Sequence, residues 1–291
     1  MTDSSRHAPL VEHITASFAR LTATEKRAAR VLLDNYPMAG LATAASFAAA
    51  SGVSAPTVLR LVDKLGFNGY AEFQARLLEE LEARLASPLE RAGGGPGARE
   101  NEVHFLHRYA EQACANVMRS VEHLPAAEIE AVSQLIMNEK RRVYLVGGRF
   151  SAALARLFHA HLHAVRGDVH DLSGQSTAWP EHLLDLRGRD VVVVFDFRRY
   201  QKNVIRFAQD AAARGATVVL FTDQWRSPAA KVAGHVLSAR TETHSRWDSA
   251  AAPLVLVEVI LAVITDQRWP SVEARIKDLE SFQTQLERHG T

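Results

Sequence analysis

Three short stretches place arginine beside hydroxyl or acidic side chains directly after apolar runs: Gly147-Gly148-Arg149-Phe150-Ser151, Asp196-Phe197-Arg198-Arg199-Tyr200 and Thr222-Asp223-Gln224-Trp225-Arg226-Ser227. Guanidinium forks grouped in this way suit a small anion. Arg149, Ser151, Arg198, Arg199, Thr222 and Ser227 are the candidate ligand contacts. The competing role for Arg198 and Arg199 is to face solvent or pair with acids such as Asp196 and Asp223. A second group, Ser54, Thr57, Arg60 and Lys64, sits among small residues. Its hydroxyls can bond phosphate, and its cations can reach phosphate or guanine edges of a DNA duplex.

Other chemistries find less support. His159 and His163 lie on one helical face, followed by His170 and Asp171, a spacing that suits zinc. No Cys or Glu completes a recognised ligand set, and thirteen histidines make clustering unremarkable. A solvated or interfacial histidine face is expected, with no metal or other cofactor. Glu181, His182, His244 and Glu258 are residue types that can act as a base beside a bound sugar. No local motif selects among them, so no enzyme activity is expected. Cys114, the one cysteine, rules out an intramolecular disulfide and reads as a buried structural thiol in a reducing compartment. Trp179, Trp225 and Trp247 read as packing residues, Trp225 lying in a ligand-facing loop.

The elements that must position these groups are legible in the spacing. Between Thr43 and Phe67, Ala44, Phe47 and Ala48 recur at helical spacing and Ser51-Gly52 ends the helix. Val53 plugs the corner, and Ser54 is placed to accept from a free N–H near Thr57 and start a second helix. Pro56 fits that first turn. Val58, Leu61, Val62 and Leu65 share one face of the second helix, with Ala55, Thr57, Arg60 and Lys64 largely elsewhere. Spacing alone leaves open a helix-turn-helix or a helical hairpin in another all-α domain. The run from Leu21-Thr22-Ala23-Thr24-Glu25-Lys26-Arg27 through Val53-Ser54-Ala55-Pro56-Thr57-Val58-Leu59-Arg60 to Lys64-Leu65-Gly66-Phe67-Asn68-Gly69-Tyr70-Ala71-Glu72-Phe73 resembles the N-terminal domain of RpiR/MurR-type bacterial transcriptional regulators. The resemblance implies a helix-turn-helix reading an operator, followed by a C-terminal sugar isomerase (SIS) domain.

The rest of the chain fits that order. A helix carries Leu10, Ile14 and Phe18, and a second, capped by Thr22 or Thr24, stops at Asn35-Tyr36-Pro37. An amphipathic helix runs from Tyr70 to Arg84. Ser87 to Gly97 is a Gly/Pro-rich linker, giving domains at 1–85 and 103–291 with 86–102 between them. Two helices, Val103 to Val121 and Ala126 to Met137, precede alternating strand and helix signals. Strands are predicted at 142–147, 190–195, 216–221 and 235–237, and a further one at 169–172. Helices are predicted at 151–165, 201–214 and 254–264, a short one follows Pro228, and a charged one at 271–288 reads as a dimer or interdomain contact. Continuous β-branched runs imply strands buried on both faces: an α/β parallel sheet flanked by helices, here following an all-α domain. In such a sheet ligands bind beyond the carboxyl ends of the strands, which are the three arginine-bearing loops.

Those loops resemble the SIS domain, whose first has the form Gly-x-Gly-x-Ser and whose third runs Thr-Asp then Ser-Pro. The first keeps Gly147 and Ser151 but has Arg149 where that form has its second glycine, and the second departs further, lacking the Ser-x-Ser-Gly-x-Thr phosphate cup. The resemblance implies a homodimer or homotetramer that senses a small anionic metabolite, phosphosugar or carboxylate; the missing cup also fits a domain used only for dimerisation. With a formal net charge of +1 over 291 residues, DNA binding must come from a local patch. The strongest apolar run, Ala250 to Ile264, is too short to span a bilayer and contains Glu258, so a cytoplasmic protein with no membrane partner is expected.

Overall fold

The computed structural model of the chain describes residues 9–85, 89, 102–172, 174 and 176–289. The glycine-rich linker therefore falls almost wholly outside the described residues. The N-terminal unit is helical: α1 (Leu10–Ser17), α2 (Ala23–Asp34), α3 (Met38–Leu41), α4 (Ala44–Ala50), α5 (Ala55–Lys64) and α6 (Tyr70–Leu85). Ile14, Leu32, Phe47, Leu61, Phe73 and Leu77 fill its core. Thr22 caps α2 reciprocally: its hydroxyl accepts from the Glu25 N–H at 3.4 Å, and the Glu25 carboxylate accepts from the Thr22 N–H at 2.8 Å. The spacing gives no sign of the four-residue α3. Its Gly40 lets α6 approach, since a Cβ there would lie 2.4 Å from Leu77 Cδ1.

The directions of α4 and α5 differ by 103°, within the range of a helix-turn-helix. Gly52 makes the corner at φ +60, and Val53 packs half-buried against the core. One local expectation is corrected. Ser54 stands at the N-cap of α5, but its hydroxyl faces Thr57 Oγ1 at 2.9 Å and makes no bond to a backbone N–H.

The C-terminal unit begins with α7 (Glu102–His123) and α8 (Ala126–Met137). Then come β1 (Val143–Gly147), α9 (Ala152–Val165), β2 (Val169–Asp171), α10 (Trp179–Asp185), β3 (Val191–Asp196), α11 (Lys202–Ala213) and β4 (Thr217–Asp223). A 3-10 turn at Pro228–Lys231, β5 (His235–Ala239), α12 (Ala251–Gln267) and α13 (Trp269–His289) complete it. All strand pairs are parallel in the order β2-β1-β3-β4-β5, Val143 standing opposite both Val169 and Val191. Alternate residues bury on opposite faces. Leu145, Val193, Phe195, Val219 and Phe221 meet α9 and α12, whereas Val192, Val194, Val218 and Leu220 meet Val204 and Phe207 of α11. This double burial is why the strands read as unbroken apolar runs.

One further expectation changes. Cys114 is exposed on α7, not buried. The closing helix α13 rests on α9, where Arg275 donates to the His163 carbonyl at 2.9 Å, and leaves Leu279 and Phe282 exposed. Between the units, Arg198 donates to the Ala83 carbonyl of α6 at 2.8 Å, Arg84 lies 4.4 Å over the Tyr200 ring, and Arg240 pairs with Glu12. Among the described residues no single helix is long and apolar enough to cross a membrane.

Candidate functional site

The outer face of α5 is the first candidate surface. Val58, Leu61 and Val62 bury, leaving Ser54, Pro56, Leu59, Arg60, Asp63 and Lys64 exposed. Thr57 does not belong to that face. It is buried, its hydroxyl held between Ser54 Oγ and, at 3.4 Å, Arg60 Nη2, so it steadies its neighbours from below. Lys64 is drawn to Glu25 at 2.8 Å. Burial alone would raise the Glu25 carboxyl, but the Lys64 ammonium and the Thr22 N–H and hydroxyl outweigh it and hold Glu25 below the usual range. Pro56 and Leu59 were not among the predicted contacts, yet they share the face with Arg60. Their apolar surface suits a thymine methyl.

The second candidate is a cleft of about 540 Å³ at the carboxyl ends of β1 and β3, closed by the segment before α12. Arg149, Ser151, Arg198 and Arg199 line it, together with the aromatic Phe150, Phe197 and Trp247. Thr222 and Ser227 do not. Both are buried struts: Thr222 donates to the Asp196 carbonyl at 2.8 Å and accepts from the Ser227 N–H, while Ser227 donates to the Asp196 carboxylate. Ser151 is likewise committed, donating to the Phe195 carbonyl at 2.6 Å and accepting from the Gly148 N–H. These hydroxyls tie strand ends together instead of facing an open cup.

Arg198 lines the cleft and also pairs with acids, though not through its side chain with Asp196 or Asp223. Its guanidinium sits 4.1 Å over Trp225, pairs with Glu242 at 3.1 Å and Asp248 at 3.0 Å, and reaches Ala83. Asp223 receives only its backbone N–H, at 2.5 Å. The place of a phosphate cup is taken by Gln201, which rests against Gly148 and accepts from the Arg149 N–H at 3.1 Å, and by Tyr200, which donates to Asp223 at 2.6 Å. Trp179 and Trp225 pack as expected. Trp247 does not: it is 58% exposed at the cleft mouth, edge-on to Phe150.

Asp196, which lines the cleft, and Asp223 behind it, expected only as arginine partners, are both buried, which nothing in the sequence of an isolated Asp reveals. Burial, with Asp223 adding to it, pushes Asp196 up to about 7, and burial pushes Asp223 up to about 7. Stability carried by a raised carboxyl is fully present below the ordinary aspartate range and is lost as pH climbs through about 7. Asp196→Asn keeps an acceptor for the Gln201 N–H, which Asp196 binds at 3.2 Å, and does not ionise. Its urea midpoint is expected to fall less than that of the unaltered chain between about pH 5 and pH 8. Equal falls would show that Asp196 is ionised throughout.

Glu181, His182, His244 and Glu258 do not line the cleft and are not brought together. His159 and His163 stack at 5.5 Å, His159 reaching the Val169 carbonyl. Among the described residues no group of three His, Cys, Asp or Glu side chains is arranged to hold a metal ion.

Comparison with known proteins follows the same division. Residues 9–84 match the helix-turn-helix domain of the rpiR family, and residues 136–263 match the SIS domain. The HTH-type transcriptional regulator HexR of Pseudomonas aeruginosa is 24% identical over 280 residues, covering 93% of this chain and 94% of that protein. Among solved structures, the sugar isomerase domain of an RpiR transcription factor from Sphaerobacter thermophilus is 23% identical with a TM-score of 0.56, over 60% of this chain and 96% of that one. The Vibrio vulnificus NanR protein complexed with ManNAc-6P superposes with a TM-score of 0.54 at 15% identity, over 95% of this chain and 98% of that one. A helix-turn-helix at 103°, a five-stranded parallel sheet behind it and these matches to both halves have one meaning: the chain belongs to the RpiR family of transcriptional regulators, with a helix-turn-helix domain and a SIS domain.

Proposed function

We propose that α5 reads a DNA operator and that the SIS cleft senses a small anionic metabolite, phosphosugar or carboxylate, which alters operator affinity. The observation that carries this reading is Arg198, which lines the cleft and at the same time holds the Ala83 carbonyl of α6, the helix leaving the DNA-binding domain. An anion that competes with Glu242 and Asp248 for this guanidinium moves the anchor of α6. In a homodimer such a shift alters the separation of two recognition helices that bind half-sites about one DNA turn apart or a multiple of it. The ManNAc-6P complex of the Vibrio vulnificus protein supports a phosphosugar as one ligand class. A cytoplasmic location follows from an operator as target.

Ser54, Arg60 and Lys64 are the direct DNA contacts in this reading, and Thr57 acts through Ser54 and Arg60. Arg60→Ala is expected to weaken operator binding roughly tenfold, one charge-assisted contact's worth, without moving the melting temperature. An operator is first selected from a random duplex library; fluorescence anisotropy then measures binding with and without phosphosugars and small carboxylates. Failure to enrich any sequence would sink the DNA reading. Operator binding indifferent to every anion would favour the second reading, a SIS domain used only for dimerisation, which the internal commitment of Ser151, Thr222 and Ser227 supports.

A further inference from the structure

A second cavity, of about 460 Å³, lies between the two domains on the far side of the Asp196–Gln201 loop. Its charged lining is unbalanced: Arg84 from α6 and Arg199, Arg226 and Lys231 from the SIS domain face a single acid, Asp34. Arg226 buries its Nε with no hydrogen-bond partner among the described residues. Burial depresses its pKa, with Asp34 opposing, which shows how poorly the guanidinium is compensated. Arg199 and Arg226 are also two of the three non-glycine residues with positive φ among the described residues, at 66° and 59°. Such conformations are unfavourable and persist where the surrounding structure holds them in place. Both aim arginines into this cavity from the carboxyl ends of β3 and β4, where open parallel sheets bind ligands. Leu33, Pro37, Met38 and Leu85 form an apolar wall opposite.

From this arrangement we infer that the interdomain cavity is a second ligand site, for an organic anion whose phosphate or carboxylate head meets Arg226, Arg199 and Lys231 and whose less polar body lies on the α2–α3 turn and α6. Arg199 borders both this cavity and the SIS cleft, whereas Arg226 and Lys231 line this cavity and not the cleft. An occupant touches both domains, so it fixes the angle at which the helix-turn-helix is held against the SIS domain.

The test uses the full chain, with phenyl phosphate and benzoate as probes at constant ionic strength, read as melting temperature against probe concentration. At least one probe is expected to raise the melting temperature in the unaltered chain and in Arg149→Gln, whose change lies in the other cleft. In Arg226→Gln and Lys231→Gln the shift is expected to fall to less than about a third. Which probe responds identifies the head group. No shift with either probe overturns the proposal, as does a shift lost in Arg149→Gln but kept in Arg226→Gln and Lys231→Gln, which would place the binding in the SIS cleft. Should Arg226→Gln fail to fold, the exposed Lys231, which donates to Asn35 at 3.4 Å, decides the matter alone.

Discussion

Gly147→Ala is expected to lower the melting temperature by roughly 6–12 °C, corresponding to about 3 kcal/mol at the upper end of overpacking costs. A Cβ on Gly147 would stand 2.6 Å from the Ala152 nitrogen, 2.7 Å from the Ser151 carbonyl carbon and 2.8 Å from the Ala152 Cα. All three are backbone atoms at the start of α9, so relief requires moving the helix off the sheet, and the Phe158 and Leu162 packing moves with it. Gly148→Ala makes the control. There the nearest atoms belong to the flexible Gln201 side chain at 3.0 Å, so the loss should stay below about 1 kcal/mol. Differential scanning fluorimetry of the pair measures both; similar drops would mean that the β1–α9 turn adjusts more freely than its geometry implies.

Arg198→Ala is the second large effect, expected to destabilise by about 2 kcal/mol. The guanidinium is nearly buried, and its loss leaves Asp248, the Ala83 carbonyl and the Trp225 face without their cover. Breaking a fully buried pair costs about 3–5 kcal/mol; Glu242 is half-exposed, so the figure is reduced. The functional outcome is sharper. Operator affinity without ligand should shift toward its ligand-bound value, since the α6 anchor at Ala83 is gone, while the response to cleft ligands disappears. Arg198→Lys keeps one charge without the planar fork, so it should retain part of the stability but little of the response. Anisotropy titrations decide this: a full ligand response in Arg198→Ala would remove Arg198 as the link between cleft and α6.

Much of the fold was legible because its signals are local and periodic. The unbroken runs 191–194 and 217–221, the Thr22 and Glu25 cap, and Gly52 between two small-residue helices each carry their own physical reason. Elements too short for a helical period escaped, as with Met38–Leu41 and Trp179–Asp185. The sites were half legible. Sequence placed Arg149, Ser151, Arg198 and Arg199 in loops that come to line one cleft, because strand ends converge in any parallel sheet. It did not show that Thr222 and Ser227 turn inward onto Asp196, or that Thr57 lies under Arg60, since which way a hydroxyl points is settled by neighbours remote in the chain. Arg226 was in view within its loop, but its unpaired Nε and its place between the domains depend on Asp34 and Arg84, far away in sequence.

The separateness of the N-terminal core has a temporal meaning. Every residue of that core, from Leu10 to Leu77, has been made by the time α6 is complete at Leu85. The sheet, by contrast, lacks its β5 edge until Ala239 and its α12 cover until Gln267. At roughly 5–20 residues per second the ribosome therefore leaves on the order of ten seconds or more in which the first domain can fold alone. Its contacts are short in sequence and close quickly, whereas the parallel sheet must wait for distant strands. Glu12, Asn35 and Ala83 thus stand ready as a finished surface onto which Arg240, Lys231 and Arg198 later dock.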